Sequence, residues 1–285
     1  MIREPVVSGR FYPSAPAELL GLLEECEQHE LGPGSRDPGT AGVLRGFIQP
    51  HAGFIFSGPV ASWGIRRLAA EKPLPTRFLL LGPKHTPFGA KAAVSKAEGW
   101  RTPLGTVPVD EALRQAVVQT GAFTADDAAH AQEHSLEVQL PFLQRLFGKS
   151  PFSILPIAIH YAGFPECEAW GKALAGVLAQ PAFADVRVLV SSDFSHETPR
   201  SQAYRLDGEA ISLIERLDAE AFHSLVVSED RSICGVIPIT VAMVALARPG
   251  IKVRKLAYST SMDVMPHPRG VGYASVVFEE VPAGA

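Results

Sequence analysis

The chain reads as one α/β domain, residues 1–285: a sandwich with a central, mostly parallel or mixed sheet flanked by helices. Three observations lead there. Largely apolar runs at 43–48, 77–82 and 186–190, each with one arginine, have the length and Leu/Val-rich make-up of strands buried on both faces. Amphipathic stretches at helical spacing separate them, so β and α alternate along the chain. Each run also ends in a histidine or an aspartate followed by turn residues, at the strand end where open α/β sheets hold ligands. A chain of 285 residues is long enough to bury one large core.

In chain order, residues 1–13 form an extended lead-in containing Gly9-Arg10-Phe11-Tyr12-Pro13. Leu19, Leu22, Leu23 and Cys26 recur at helical spacing within 16–31, and the Gly/Pro-rich stretch 31–39 is a loop. After the strand at 43–48 a helix is expected from about Gly58 to Ala70, then the strand at 77–82. Residues 91–109 alternate short β-like runs with Gly99, Pro103 and Gly105, which suggests small strands or a hairpin. Helices are expected at 110–120 and 134–146, a strand at 152–159, a helix at 165–179 and the strand at 186–190. Helical patterns follow at 200–217, 219–227 and 233–247, the last strongly apolar despite Pro238 near its start. Strands at 253–259 and 272–278 close the chain.

Bulk properties remove several function classes. A formal charge of −4 with no basic stripe argues against nucleic acid as a partner. The N-terminus lacks an apolar signal core and no run is long enough to span a bilayer, so no membrane association and a cytoplasmic location are expected. Three scattered cysteines, Cys26, Cys167 and Cys234, do not make a disulfide framework.

The chemistry-bearing candidates each have two readings. His51 and His85 follow strand ends, where imidazoles serve as metal ligands or merely cap strands at the surface. Asp193 precedes His196 by three residues, which suits a general base with its orienting partner, a pair of metal ligands, or a helix cap beside a surface histidine. Cys234 opens an apolar helix, where a thiol is either activated by the helix N-terminus or simply buried. Cys26 and Cys167 lie on amphipathic helices and read as packing residues. His130-Ala131-Gln132-Glu133-His134 matches H-x-x-E-H, the inverted zinc-peptidase pattern, although Glu133 to Glu137 also fits the start of the next helix. His29, His160, His223 and His267 stand alone and read as structural or exposed.

Taken together, the chain resembles the Memo family, called AmmeMemoRadiSam system protein B in prokaryotes. The resemblance is carried in order by Gly9 to Pro13, Pro50-His51-Ala52-Gly53-Phe54, Leu81-Gly82-Pro83-Lys84-His85 and Thr102-Pro103-Leu104-Gly105. It continues through 133–143, 191–196, Cys234-Gly235 and Gly272-Tyr273-Ala274. It implies a fold like that of class III extradiol (LigB-type) non-haem iron dioxygenases. It also implies a metal site of His51, His85 and Cys234, with His196 and Asp193 as the proton-handling groups and His134 and Glu137 as further pocket residues. Cys234 stands where those dioxygenases carry a carboxylate, which moves metal preference from Fe(II) towards copper or zinc. AMMECR1-like and radical SAM proteins are the implied partners, and a small molecule or peptide the implied occupant of the pocket.

Three functions follow. The first is a redox metalloenzyme of dioxygenase-like ancestry using Fe(II) or copper. The second is a non-catalytic binding or metal-handling module with the same pocket. The third is a zinc hydrolase centred on His130 and His134.

Overall fold

The central strands at 77–83, 153–159 and 186–191 form from largely apolar residues, and the structure buries them on both faces. The computed structural model describes residues 1–281, so the last four residues of the expected 1–285 domain lie outside the described residues. Strand β1 (Ile2–Arg3) leads to helix α1 (Pro16–Gln28), β2 (Val43–Gln49), α2 (Phe54–Ala69) and β3 (Arg77–Pro83). Short strands β4 (Ala92–Val94), β5 (Gly99–Thr102) and β6 (Gly105–Pro108) precede α3 (Glu111–Gln119), β7 (Thr124–Ala125) and α4 (Leu140–Phe147). Then come β8 (Ser153–Ile159), α5 (Phe164–Leu178), β9 (Val186–Ser191), α6 (Arg200–Glu215), α7 (Ala219–Ser228) and α8 (Val236–Leu246). Strand β10 (Ile251–Thr260), α9 (Ser261–Val264) and β11 (Gly272–Glu280) complete the chain.

Eight strands make the main sheet in the order β10-β11-β2-β9-β3-β8-β4-β7. Its centre, β2-β9-β3-β8, is parallel, and antiparallel pairs at β11/β2, β10/β11 and β8/β4 make the whole mixed. Along β3, Leu79 and Leu81 enter one core while Phe78 and Leu80 enter the other. Helices α3 and α5 to α8 contribute to the first core, which includes Trp170, Ile211, Phe222 and Ile239. The second core holds Phe47, Trp100, Leu143 and Phe147, and a third cluster joins α1, α2 and the N-terminal segment. Helix α8 is apolar nearly all round and correspondingly buried. Pro238 is tolerated because the first-turn N–H groups have no partner within the helix. A separate three-stranded sheet, β1-β5-β6, holds the chain's start against the hairpin expected near Pro103.

The expected helix at 134–146 is the main departure. Residues 127–136 form turns, Glu137–Gln139 is a single 3-10 turn, and α4 starts only at Leu140 with Pro141 in its first turn. Helix α2 begins at Phe54, four residues earlier than expected, with Pro59 inside it.

The connectivity places the site. Strand β3 pairs with β8 on one side, yet β9, after the α5 crossover, inserts between β2 and β3. The sheet order therefore reverses there, and the C-terminal ends of β2, β9 and β3 are neighbours. Residues two positions beyond each end are His51, Asp193 and His85.

Candidate metal centre

Three side chains converge at that edge. One ligand atom from each of His51, His85 and Cys234 lies within 4.8 Å of the other two. His51 Nε2 is 3.3 Å from Cys234 Sγ, and the His51 and His85 ring centroids are 5.4 Å apart. Cys234 arrives from the turn before α8, where Gly235 packs so tightly that a Cβ there would lie 2.3 Å from Ser192 Oγ.

The hydrogen bonds behind the histidines fix their tautomers. Ser191 Oγ has one proton, and the Ser135 carbonyl, 2.6 Å away, can only accept it. The same oxygen therefore accepts from Gln139 Nε2 at 2.8 Å and from His51 Nδ1–H at 2.8 Å. His85 Nδ1–H donates to Glu133 Oε1 at 3.0 Å, and the His85 backbone N–H donates to Glu133 Oε2. Both imidazoles are thereby left with an Nε2 lone pair, the form a metal needs. Burial, reinforced by His85 and His134, holds the His51 pKa well below its ordinary value and keeps the ring neutral.

Glu133 is fully buried. Burial opposes its ionisation, but bonds from His85 and from the Ser135 and His85 N–H groups hold its pKa well below the usual carboxylate range. Asp193 is pushed up to about 6 by burial, against the His51 and Ala52 N–H groups it accepts from. Burial, and then the Asp193 charge, raises the Cys234 thiol well above its ordinary value, although the Asp193 N–H reaches Sγ at 3.3 Å. A cation beside Sγ reverses that preference, because a coordinating thiol gives up its proton.

Two expected pairings are not formed. Asp193 and His196 do not pair: Asp193 Oδ1 accepts the His51 N–H at 2.8 Å, whereas His196 Nδ1–H donates to the Ser232 carbonyl at 2.8 Å. Residues 192–196 form neither helix nor strand, and backbone bonds from Phe194 N–H to the Gly272 carbonyl and from Gly272 N–H to the Ser195 carbonyl hold the segment so that the two side chains take separate partners. The H-x-x-E-H stretch does not supply its two histidines as a ligand pair: Glu133 and His134 offer ligand atoms within 4.8 Å of one another and of His85, but His130 takes no part. It lies in turns rather than on one helical face, and buried His130 donates Nε2–H to the Ala93 carbonyl at 3.1 Å with Trp100 against its ring. His134 does join the cluster, stacked on His85 at 4.9 Å and edge-on to His51 at 5.5 Å. Glu137 does not. Its buried carboxylate accepts from the Arg3 guanidinium, the Val6 and Val7 N–H groups and Tyr12 Oη–H at 2.6 Å, and so fastens the N-terminal segment. Cys26 and Cys167 are buried and free, and burial pushes both thiols up to about 12.

A family model described as Memo-like protein matches residues 3–277. The chain belongs to the Memo family. MEMO1 family proteins of Methanopyrus kandleri and Pyrobaculum aerophilum are 39% and 38% identical to it, covering 98% and 97% of this chain and 99% of theirs. A MEMO1 family protein of Nitrosopumilus maritimus is 34% identical over 98% of this chain and 100% of its own. Among solved structures, an uncharacterized protein from Escherichia coli K12 shares the fold with a TM-score of 0.54 and 13% identity, over 81% of this chain and 99% of that one. Among the described residues of this Memo-family chain, no helix is long and apolar enough to cross a membrane.

Ser191, Gln139 and Glu133, the groups that set the two tautomers, lie within the stretches that carry the family resemblance, yet no spacing assigns them this role, and Glu133 stands 48 positions from the histidine it holds.

Proposed function

We propose that this Memo-family chain binds one transition-metal ion through His51, His85 and Cys234 and uses it in redox chemistry of dioxygenase-like ancestry. The observation that carries the reading is the convergence of two imidazoles, each with its Nδ1–H already engaged, on one thiol. Two nitrogens and a soft sulfur suit copper, Fe(II) or zinc and suit magnesium or calcium poorly. When bound, copper or iron would supply Lewis acidity and one-electron redox chemistry.

The chain's own residues have separable tasks. Ser191 and Glu133 orient the imidazoles, and the Asp193 carboxylate fixes the turn that carries His51. His196, only partly buried, gives its Nδ1–H to Ser232 and keeps Nε2 free to take a proton from a bound molecule. His134 forms the wall between His85 and Phe11. The family resemblance supports AMMECR1-like and radical SAM proteins as partners and the cytoplasm as the location.

The test is the metal content of tag-free protein purified without oxygen, for wild type and a His51→Ala/His85→Ala variant, followed by oxygen uptake. Near-stoichiometric iron or copper in the wild type alone supports the site. Full metal without oxygen uptake across catechol-like substrates would favour a metal-handling module. A wild type that refuses Fe(II), Cu(I), Cu(II) and Zn(II) would refute the proposal.

A further inference from the structure

The arginines within the central strands lie at the end of the sheet opposite the histidines. Val43 opens β2, Thr76 immediately precedes β3 and Arg187 is the second residue of β9, which sets these positions about 20 Å from the C-terminal strand ends. With Lys72, Leu74 and Asp185 they line a cleft of about 400 Å³, a volume within the range of small-molecule sites. Arg187 is only 7% exposed. It pairs with Phe78 of β3, so both point to the face that carries the second core. Its Nη1 donates to the Ala184 and Val186 carbonyls, each at 3.2 Å, while Nη2 makes no hydrogen bond and the buried Nε has no partner among the described residues. Nε and Nη2 form one edge of the guanidinium, the two-donor fork that holds an oxyanion by parallel bonds. Among the described residues the one carboxylate within reach is that of Glu71, whose Oε2 stands 4.0 Å from Nη2.

The acidic groups around this fork already have cations. Glu71 Oε1 meets Arg67 Nη1 at 2.7 Å, Asp185 meets Arg77 Nη1 at 3.3 Å, and Glu280 takes Arg45 Nε at 2.6 Å and Arg248 Nη2 at 2.9 Å. Positive charge is crowded instead. The Ala184 carbonyl accepts from Arg45 Nη1 and from Arg187 Nη1, each at 3.2 Å, so two guanidinium groups meet at one oxygen. Lys72, exposed on the same cleft, makes neither an ion pair nor a hydrogen bond among the described residues. Burial, and then the Arg45 charge, lower the Arg187 pKa. A charged side chain is almost never buried this deeply without a partner. Two cations short of an anion match a phosphate group, which carries about −1.5 to −2 at pH 7, whereas one carboxylate would neutralise only one of them. The cleft is far larger than a phosphate alone, and Val43 and Leu74 give it apolar wall.

We propose that this cleft is a second ligand site, separate from the histidine cluster, and that it takes a small phosphate monoester, the phosphate on the Nε/Nη2 edge of Arg187 and on Lys72, the organic body against Leu74 and Val43. The probes are phenyl phosphate, inorganic phosphate and phenol, titrated by calorimetry and by NMR into wild type, Lys72→Glu, Arg187→Met and the His51→Ala/His85→Ala variant. Phenyl phosphate should bind wild type more tightly than inorganic phosphate, which lacks the apolar body, and phenol should not bind. Its affinity should fall about tenfold or more in Lys72→Glu and further in Arg187→Met. It should stay at the wild-type value in the histidine variant, with resonances of Leu74 and Thr76 shifting and those of the strand-end histidines unmoved in wild type. Lys72 is exposed, so Lys72→Glu decides the matter even if Arg187→Met does not fold. No binding of phenyl phosphate by wild type, or undiminished binding by Lys72→Glu, would overturn the proposal. Inorganic phosphate binding as tightly as the ester would also overturn it, by removing the organic body. Binding lost in the histidine variant and kept in Lys72→Glu would place the phosphate on the histidine cluster and overturn it as well.

Discussion

Replacing Glu133 with glutamine keeps the side chain's size and removes its charge, so it isolates what the carboxylate does. In the native site Oε1 accepts from His85 Nδ1 at 3.0 Å and from the N–H groups of His134 and Ser135 at 2.8 and 2.9 Å, while Oε2 accepts the His85 N–H. Four donors face this group, and glutamine has one oxygen for them. Kept on the three-donor corner, that oxygen leaves the NH2 group facing the His85 N–H, two donors opposed at a buried position. The unsatisfied pair costs about 1–3 kcal/mol. In a chain of this size that lowers Tm by roughly 2–4 °C per kcal/mol. His85 also loses the anion that orients it, and loss of such a partner weakens metal binding about 10–100-fold, or roughly 1.4–2.7 kcal/mol. Competition titration of Zn(II) and Co(II) against a chromophoric chelator, with thermal melts of the metal-free proteins, measures both effects. A Glu133→Gln protein with wild-type affinity and wild-type Tm would refute the argument that this carboxylate orients His85.

Cys234→Ser should reduce Cu(I) and Zn(II) affinity by an order of magnitude or more, because a hydroxyl replaces a thiolate, and unchanged selectivity would make Cys234 a packing residue. His130 is pushed down to about 4 by burial, against its bond to the Ala93 carbonyl, so between pH 6.5 and 4 the unfolded chain binds a proton that the folded chain does not. Stability should therefore fall with pH over that window, by about 2 kcal/mol between pH 7 and 5. Urea denaturation at the two pH values should show the loss shrinking in His130→Asn, and parallel behaviour of the two proteins would contradict the assignment. Glu279 is buried between Arg67 Nε at 2.6 Å and Arg254 Nε at 2.8 Å, and Arg67 is itself fully buried. Glu279→Gln should cost about 3 kcal/mol in denaturant midpoint analysis, since it leaves a buried guanidinium short of an anion, and a cost below about 1 kcal/mol would show that Glu71 suffices.

Much of this architecture could be read from residue order, and the unread part has a common cause. The runs at 43–48, 77–82 and 186–190 are strands because apolar residues dominate them, with a single arginine in each, and each places a histidine or an aspartate two positions past the strand's end. The convergence of His51 and His85 follows from those ends, and the family resemblance adds Cys234 to them. The sheet order is not local information, however. No spacing in the sequence says that β9 lies between β2 and β3, and that insertion alone makes Ser191 the partner of His51. Glu137 shows the converse failure. It belongs to the same short stretch as Glu133 and His134, but one helical turn redirects its carboxylate to Arg3 and Tyr12. Asp193 and His196, three positions apart, suit a base and its orienting partner, but each hydrogen-bonds elsewhere, Asp193 to the His51 N–H and His196 to the Ser232 carbonyl.

The insertion of β9 also bears on the order in which the molecule is made. Strands β2 and β3 are synthesised about a hundred residues before the strand that belongs between them, so each carries an open edge while the ribosome is still producing α5. Pairing β2 directly with β3 would close the slot and misplace both histidines, and the αβ crossover that prevents it is a long-range, slow contact. Cys234 emerges later still. A nascent chain therefore presents two imidazoles without their thiol, and metal taken up at that stage would be held by an incomplete set of donors. At the proposed site, selectivity for an ion would be completed only when the last third of the chain has folded onto the first.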